Sequence, residues 1–197
     1  EKRPIIAAFT ATATPLVKSD ITSLLGLKSP FEYISTFDRP NLYFEVRKPQ
    51  NKLQEIENYL RKHSNQSGII YCATRKNVDE LWDRLNRLGI PTTRYHAGLS
   101  EKERTQNQED FLFDRVPIII ATNAFGMGID KPNVKFVLHY NMPKNMEGYY
   151  QEAGRAGRDG EKAECILFFS TQDIMTNRYI IENGTSSNNH NQEYEKL

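Results

Sequence analysis

The sequence predicts an α/β domain, a mostly parallel sheet covered by helices on both faces. Three observations predict it. Short apolar runs alternate along the chain with segments of helical periodicity. Two of those runs, GIIYC at 68–72 and VPIIIA at 116–121, are nearly continuous, as strands buried on both faces are. The helical segments between strands run to ten to fourteen residues, enough to cross back over a sheet. Sheets of this kind hold ligands outside the carboxyl ends of their strands, so the loops after the strands are where chemistry is expected.

Residues 5–9 (IIAAF) read as a short strand. Residues 15–25 read as a helix, with Thr14 as N-cap, Pro15 at the first helical position and Gly26 as the stop. Residues 41–47 alternate like a strand. Residues 52–63 place Leu53, Ile56 and Leu60 on one helical face. After the strand at 68–72, residues 75–88 carry Val78, Leu81, Trp82, Leu85 and Leu88 at helical spacing and end at Gly89. Thr92–Tyr95 is a short strand, and 101–113 is a helix with Phe111 and Leu112 inward. Strands follow at 116–121 and 134–140, a helix at 146–157, a strand at 163–169 and a helix at 171–182. Residues 184–192 (GTSSNNHNQ) are polar and read as a linker.

The 197 residues suit one domain of ordinary size with extra chain at its ends. With 26 basic and 25 acidic residues the net charge is +1, which excludes nucleic-acid binding by bulk charge; such a site must be local. Cys72 and Cys165 sit in apolar runs and read as buried thiols of a reducing cytosol, so a cytoplasmic location is expected. No Cys/His set has metal spacing, and no run is apolar for long enough to span a membrane. Asn183-Gly184-Thr185 matches a glycosylation triplet, but nothing marks the chain as secreted. The chain opens at Glu1 without an initiator Met, as a fragment would.

Four strings carry chemistry. In Tyr150–Gly160 (YQEAGRAGRDG), a continuing helix would put Gln151, Arg155 and Arg158 on one face at i, i+4 and i+7. Gly154 and Gly157 each cost such a helix ~1 kcal/mol, which implies close approach of another surface. Two guanidinium forks suit a multiply charged phosphate. The ordinary reading of a lone RxxR is two solvated arginines, but the whole string outweighs it. In Ala121–Asp130 (ATNAFGMGID), Gly126 and Gly128 allow a backbone path close to a ligand, Thr122 can donate to phosphate and Asp130 can accept from a hydroxyl. A tight turn explains a GxG alone about as well. In Cys72–Arg75, Thr74 caps a helix whose N-terminus suits an anion, beside Arg75; capping alone is the commoner reason for such a Thr74. In Tyr95–Leu99, His96 follows a strand end, where a structural histidine is the commoner case. Together these loops could line up phosphate contacts along one strand of nucleic acid.

Taken together, the strings resemble the RecQ family of DNA helicases over residues 5–182. QEAGRAGRDG is similar to that family's sixth helicase motif and ATNAFGMGIDKPNV to its fifth. GIIYCATRKNVDEL is similar to the fourth, YHAGLS to the short motif after it, and AFTATAT to motif three, which closes the first lobe. The resemblance implies a RecA-like three-layer α/β/α domain, the helicase C-terminal lobe. It implies 1–27 as the end of the first lobe, 28–183 as the second, and 184–197 as a linker towards a zinc-binding region not present here. It implies ATP between two lobes, with Mg2+ and most of the nucleotide held by the upstream lobe, and single-stranded DNA or partial duplexes as partners. Arg158 matches the arginine finger, Arg155 its companion and Gln151 a coupling residue. Gly128 and Asp130 match positions near the nucleotide. Thr74, Arg75, His96 and Thr122 match positions near DNA phosphates. Neither a GxxxxGK[ST] loop nor an Asp-Glu pair with following His stands in the sequence, so the chain alone is expected to be silent. An RNA helicase lobe, a non-catalytic nucleic-acid-binding module and a small-molecule enzyme on a doubly wound sheet are the alternatives. The sequence shows no nucleophile or acid/base pair for the last.

Overall fold

The computed structural model describes residues 3–10, 14–34, 38–126 and 129–184. It divides into two compact units, Glu1–Arg39 and Pro40–Leu197. In the first unit, α1 (Pro15–Leu24) begins as expected. Thr14 caps it by accepting from the Val17 amide at 3.3 Å, and Gly26 follows the C-cap at φ +54°. The Arg3 guanidinium donates to the carbonyls of Leu25 and of Gly26, the latter at 2.8 Å. The strand expected at 5–9 does not form. A strand needs a neighbour for its amides and carbonyls, and no described strand pairs with it; Ile5 and Phe9 are exposed.

The second unit carries β1 (Leu42–Arg47), α2 (Lys52–Lys62), β2 (Ser67–Tyr71), α3 (Arg75–Arg87), β3 (Thr92–Tyr95) and α4 (Glu101–Leu112). There follow β4 (Ile118–Ala121), β5 (Val134–His139), α5 (Met146–Ala153), β6 (Ala163–Phe168) and α6 (Thr171–Gly184). The strands form one sheet in the order β1-β6-β5-β2-β4-β3, and every pairing is parallel. One face buries Ile70, Phe136, Leu138 and Ile166 under Ile56 and Leu60 of α2 and Val78, Leu81 and Leu85 of α3. The other buries Ile69, Ile119, Val137 and Cys165 under Phe111 of α4 and Ala153 of α5. The expected three-layer α/β/α domain is therefore observed.

Sequence explains the element ends. Gly89 adopts φ +73° after α3, and Ser100 and Glu103 close a capping box on α4. The large departure in the second unit is α5, expected over 146–157 but ending at Ala153. Gly154 caps it, and Gly157 turns to φ +58°. There its amide donates to Val134 O at 2.8 Å, and its carbonyl accepts from Asn41 Nδ2 at 2.8 Å. A Cβ at Gly157 would lie 2.5 Å from Asn41 Nδ2 and 2.8 Å from Glu161 O, so the chain leaves the helix to make contacts open only to glycine. Gln151, Arg155 and Arg158 consequently do not share a helix face.

Candidate functional site: one sheet edge and an arginine turn

The parallel topology brings the loops after β5, β2, β4 and β3 to one edge of the sheet, in that order. The chain leaves β2 towards β3 on one side and leaves β5 towards β6 on the other, so the crevice between β2 and β5 is a topological switch point. A cleft of about 460 Å³ opens there, lined in part by Tyr71, His139, Asn141, Asn145, Gln151 and Glu152.

The four loops are tied to one another. Ala73 N donates to Asn141 Oδ1 at 3.1 Å, joining the loops after β2 and β5. Thr122 N donates to Tyr95 O at 3.2 Å, joining those after β4 and β3. Gly98 rests against His96 and the stem of Arg75, both within 3.3 Å of where its Cβ would be. Thr74 caps α3, its hydroxyl accepting from Asn77 N at 3.1 Å and donating to Asn77 Oδ1 at 2.8 Å. Arg75 beside it is exposed. His96 is buried, with Nε2 3.1 Å from Asp79 Oδ1 and Nδ1 accepting from Gly98 N at 3.1 Å, so its ring shapes the loop from within. Thr122 is likewise buried in the loop after β4.

The arginines form a second cluster. The turn 154–160 lies against Gly126 and residues 129–135. Arg155 Nη1 donates to Gly126 O, and Arg158 Nη1 donates to Ile129 O at 2.9 Å and Asp130 Oδ1 at 3.1 Å. Both carbonyl contacts span 29 residues. Asp159 N donates to Pro132 O at 3.2 Å, and Lys135 pairs with Asp159 at 2.9 Å. Gly126, at φ +124°, leaves the space the Arg155 guanidinium fills; a Cβ there would lie 2.2 Å from Arg155 Cζ. Arg155 Nε is buried without a partner. Burial pushes the Tyr71 phenol above its ordinary value, with the Arg155 charge opposing, so it stays protonated and donates to Phe125 O at 3.2 Å. Gln151 is exposed on α5 beside the cleft, 3.4 Å from Glu147 Oε1 and apart from the arginines' carbonyl contacts. Gly128 lies outside the described residues.

Several residues of the site escaped sequence reasoning. Asp173 of α6, 2% exposed, accepts from Lys52 Nζ at 2.7 Å, Ser170 N at 2.7 Å and Asn141 Nδ2 at 3.1 Å. Asn177 donates to Met142 O and Pro143 O at 3.1 and 3.0 Å. These two side chains, one turn apart, fix the loop after β5. His139 lies beneath the cleft, stacked near Tyr71, with Nε2 2.9 Å from Glu152 Oε2 and Nδ1 without a partner. A capping signal, Ser170-x-x-Asp173, was legible; its long-range partners were not. Among the described residues no group of three or more His, Cys, Asp or Glu could hold a metal ion, and no helix is long and apolar enough to cross a membrane.

A parallel three-layer lobe with a loop row at one edge and an arginine turn against its β4 loop is the build of a helicase motor lobe. The chain belongs to the helicase conserved C-terminal domain family, whose model matches residues 51–160, and within that family it is of the RecQ type. It is 47% identical over 195 residues to the ATP-dependent DNA helicase RecQ of Bacillus subtilis, covering 99% of this chain and 33% of that protein. It is 44% identical to the RecQ-like DNA helicase BLM of Xenopus laevis, covering 93% of the chain and 14% of that protein. A protein of Acanthamoeba polyphaga mimivirus, named as a candidate ATP-dependent RNA helicase, is 47% identical over 97% of the chain and 34% of its own length. The chain thus spans about a third or less of these relatives. Among solved structures, Saccharomyces cerevisiae Dbp5 bound to RNA and ADP BeF3 superposes with a TM-score of 0.68 at 23% identity, covering 87% of this chain and 47% of that one, a likeness of fold.

Proposed function

We propose that this chain is the second motor lobe of an ATP-driven, 3′-to-5′ DNA helicase, supplying the arginine finger and a row of single-stranded DNA phosphate contacts. The observation that carries the reading is the arginine turn. Arg155 and Arg158 are held three residues apart on matching carbonyls, over a glycine that admits one guanidinium. Two such forks fit a polyphosphate. Arg158 is the finger, stabilising charge that develops on the transferred phosphoryl group, worth ~10³–10⁵ in rate. Arg155 is its companion, Gly128 and Asp130 match positions near the nucleotide, and Gln151 on α5 is a coupling residue. In this reading Mg2+ and most of the ATP are held by an upstream RecA-like lobe.

The loops after β5, β2, β4 and β3 span about 14 Å at ~4.8 Å per strand. Thr74, Arg75 and Thr122 meet phosphates there, and His96 holds the β3 loop in shape. Contacts of this kind position a strand without reading it. In this reading residues 1–27 complete the first lobe, 28–183 form the second, and 184–197 link to a further region; the protein works in the cytoplasm at the nucleoid.

The mimivirus relative's name supports a second reading, an RNA helicase lobe. Unwinding of 3′-tailed and 5′-tailed DNA and RNA duplexes by the full-length protein separates the two. The first reading expects activity on 3′-tailed DNA and none on RNA. It also expects ATP turnover by this chain alone at background, and turnover well above background overturns that part.

A further inference from the structure

The arginine turn hangs on the segment 129–134, so the aim of Arg158 depends on what fixes that segment. Its centre is fixed by one buried lysine. Lys131 is 4% exposed, its Nζ 2.7 Å from Asp114 Oδ1 and 3.4 Å from Leu112 O at the carboxyl end of α4. The negative end of a helix favours a cation there. Its ammonium also lies 5.2 Å from the Phe111 ring centroid. Asp114 stands in the left-handed region at φ +58°, directed back to the lysine, and Asn133 Nδ2 reaches the same carboxylate at 3.4 Å. The Lys131 hydrogen bond holds the Asp114 carboxyl below its ordinary value, so it stays charged. One residue before Lys131 is Asp130 and two before is Ile129, the two groups that receive Arg158. A residue after it, Pro132 O receives Asp159 N at 3.2 Å.

We propose that Lys131 and Asp114 are positioning residues for the arginine turn: the Lys131–Asp114 pair, a buried ammonium on an exposed carboxylate, nails the segment 129–132 to the end of α4 and so sets where Arg158 points. This rests on the reading of Arg158 as the finger. Lys131 touches neither arginine and is not itself a catalytic residue.

The test uses the full-length protein that carries this lobe. Lys131→Met keeps the apolar stem and removes the charge. The expected result is a fall in DNA-stimulated kcat of about 10²-fold, the scale of a misplaced group. The KM for ATP and the affinity for single-stranded DNA stay unchanged. In an Arg158→Ala background Lys131→Met adds no further loss, because it acts through Arg158. Lys131→Arg, which can still donate to Asp114, recovers much of the rate. A merely structural staple would lower the melting temperature, and its effect on turnover would multiply with that of Arg158→Ala. Such multiplication, or full kcat in folded Lys131→Met, overturns the proposal. Should Lys131→Met fail to fold, Asp114→Asn, at an exposed carboxylate, asks the same question: a reduced kcat that vanishes in the Arg158→Ala background supports the proposal, and an unaltered kcat overturns it. Full turnover by Arg158→Ala alone would instead remove the finger reading, and this proposal with it.

Discussion

Gly126 has no side chain where the Arg155 guanidinium lies, and its φ of +124° suits no other residue. Gly126→Ala must therefore displace Arg155 or strain the loop. In the full-length protein we expect about 10²-fold lower ATP turnover from a misplaced companion arginine, read by steady-state hydrolysis. Wild-type turnover in Gly126→Ala would show that Arg155 can sit elsewhere at no cost. Gly68, in the central strand β2, provides a contrast. A Cβ there would lie 1.9 Å from the Phe136 ring, so Gly68→Ala overpacks the core and costs about 1–3 kcal/mol. Urea unfolding would report it. The sequence showed Gly126 as a glycine near a ligand and a turn as an equal explanation. What decides between them is the side chain of Arg155, 29 residues away, which local pattern cannot supply.

At the scale of elements, the loop after β5 depends on α2 and α6. Lys52 and Asp173 form an ion pair whose side chains are 13% and 2% exposed. Breaking a buried pair by removing one partner leaves a charge uncompensated, so Asp173→Ala is expected to cost about 3–5 kcal/mol. It should also weaken single-stranded DNA binding, since Asn141 and Ala73 lose their anchor. A stability change under 1 kcal/mol, on the order expected of an exposed pair, would contradict this account. The Lys131–Asp114 pair adds a pH dependence. The Asp114 pKa is lowered in the fold, so its contribution is present above the unfolded value of about 3.9. It is lost as pH falls through the folded value. Urea titrations from pH 6 to pH 3 should therefore show a shallower loss of stability in Asp114→Asn; an unchanged slope would refute it.

The elements from β1 onward were legible because periodicity, caps and breakers agree. Thr74, Ser100 and Gly89 stand where helices start or stop. Two elements were misread for opposite reasons. Residues 5–9 have the composition of a strand but no described partner strand, and composition cannot supply one. Residues 154–157 have helical spacing, but Asn41 and Val134 O offer Gly157 better partners than the next helical turn.

On the scale of the whole molecule, the fold places two clusters on one lobe. A row of loops sits at one sheet edge, and an arginine turn lies against the loop after β4. Thr122 and Gly126, in that one loop, belong to one cluster each, so the β4 loop is the physical link between the two clusters. The strings that compose both were visible in the sequence. Their division into two clusters was not, because it follows from the end of α5 at Ala153. The chain spans 33% of its Bacillus subtilis relative, and the proposed role of Arg158 requires another lobe to hold the nucleotide.

The most direct test is ATP hydrolysis by the full-length protein, with and without single-stranded DNA, for the wild type and for Arg158→Ala. The account predicts DNA-stimulated turnover in the wild type and a loss of ~10³-fold or more in the variant, at unchanged DNA affinity. Turnover in Arg158→Ala equal to that of the wild type would contradict it, and the arginine turn would then be a feature of the fold alone.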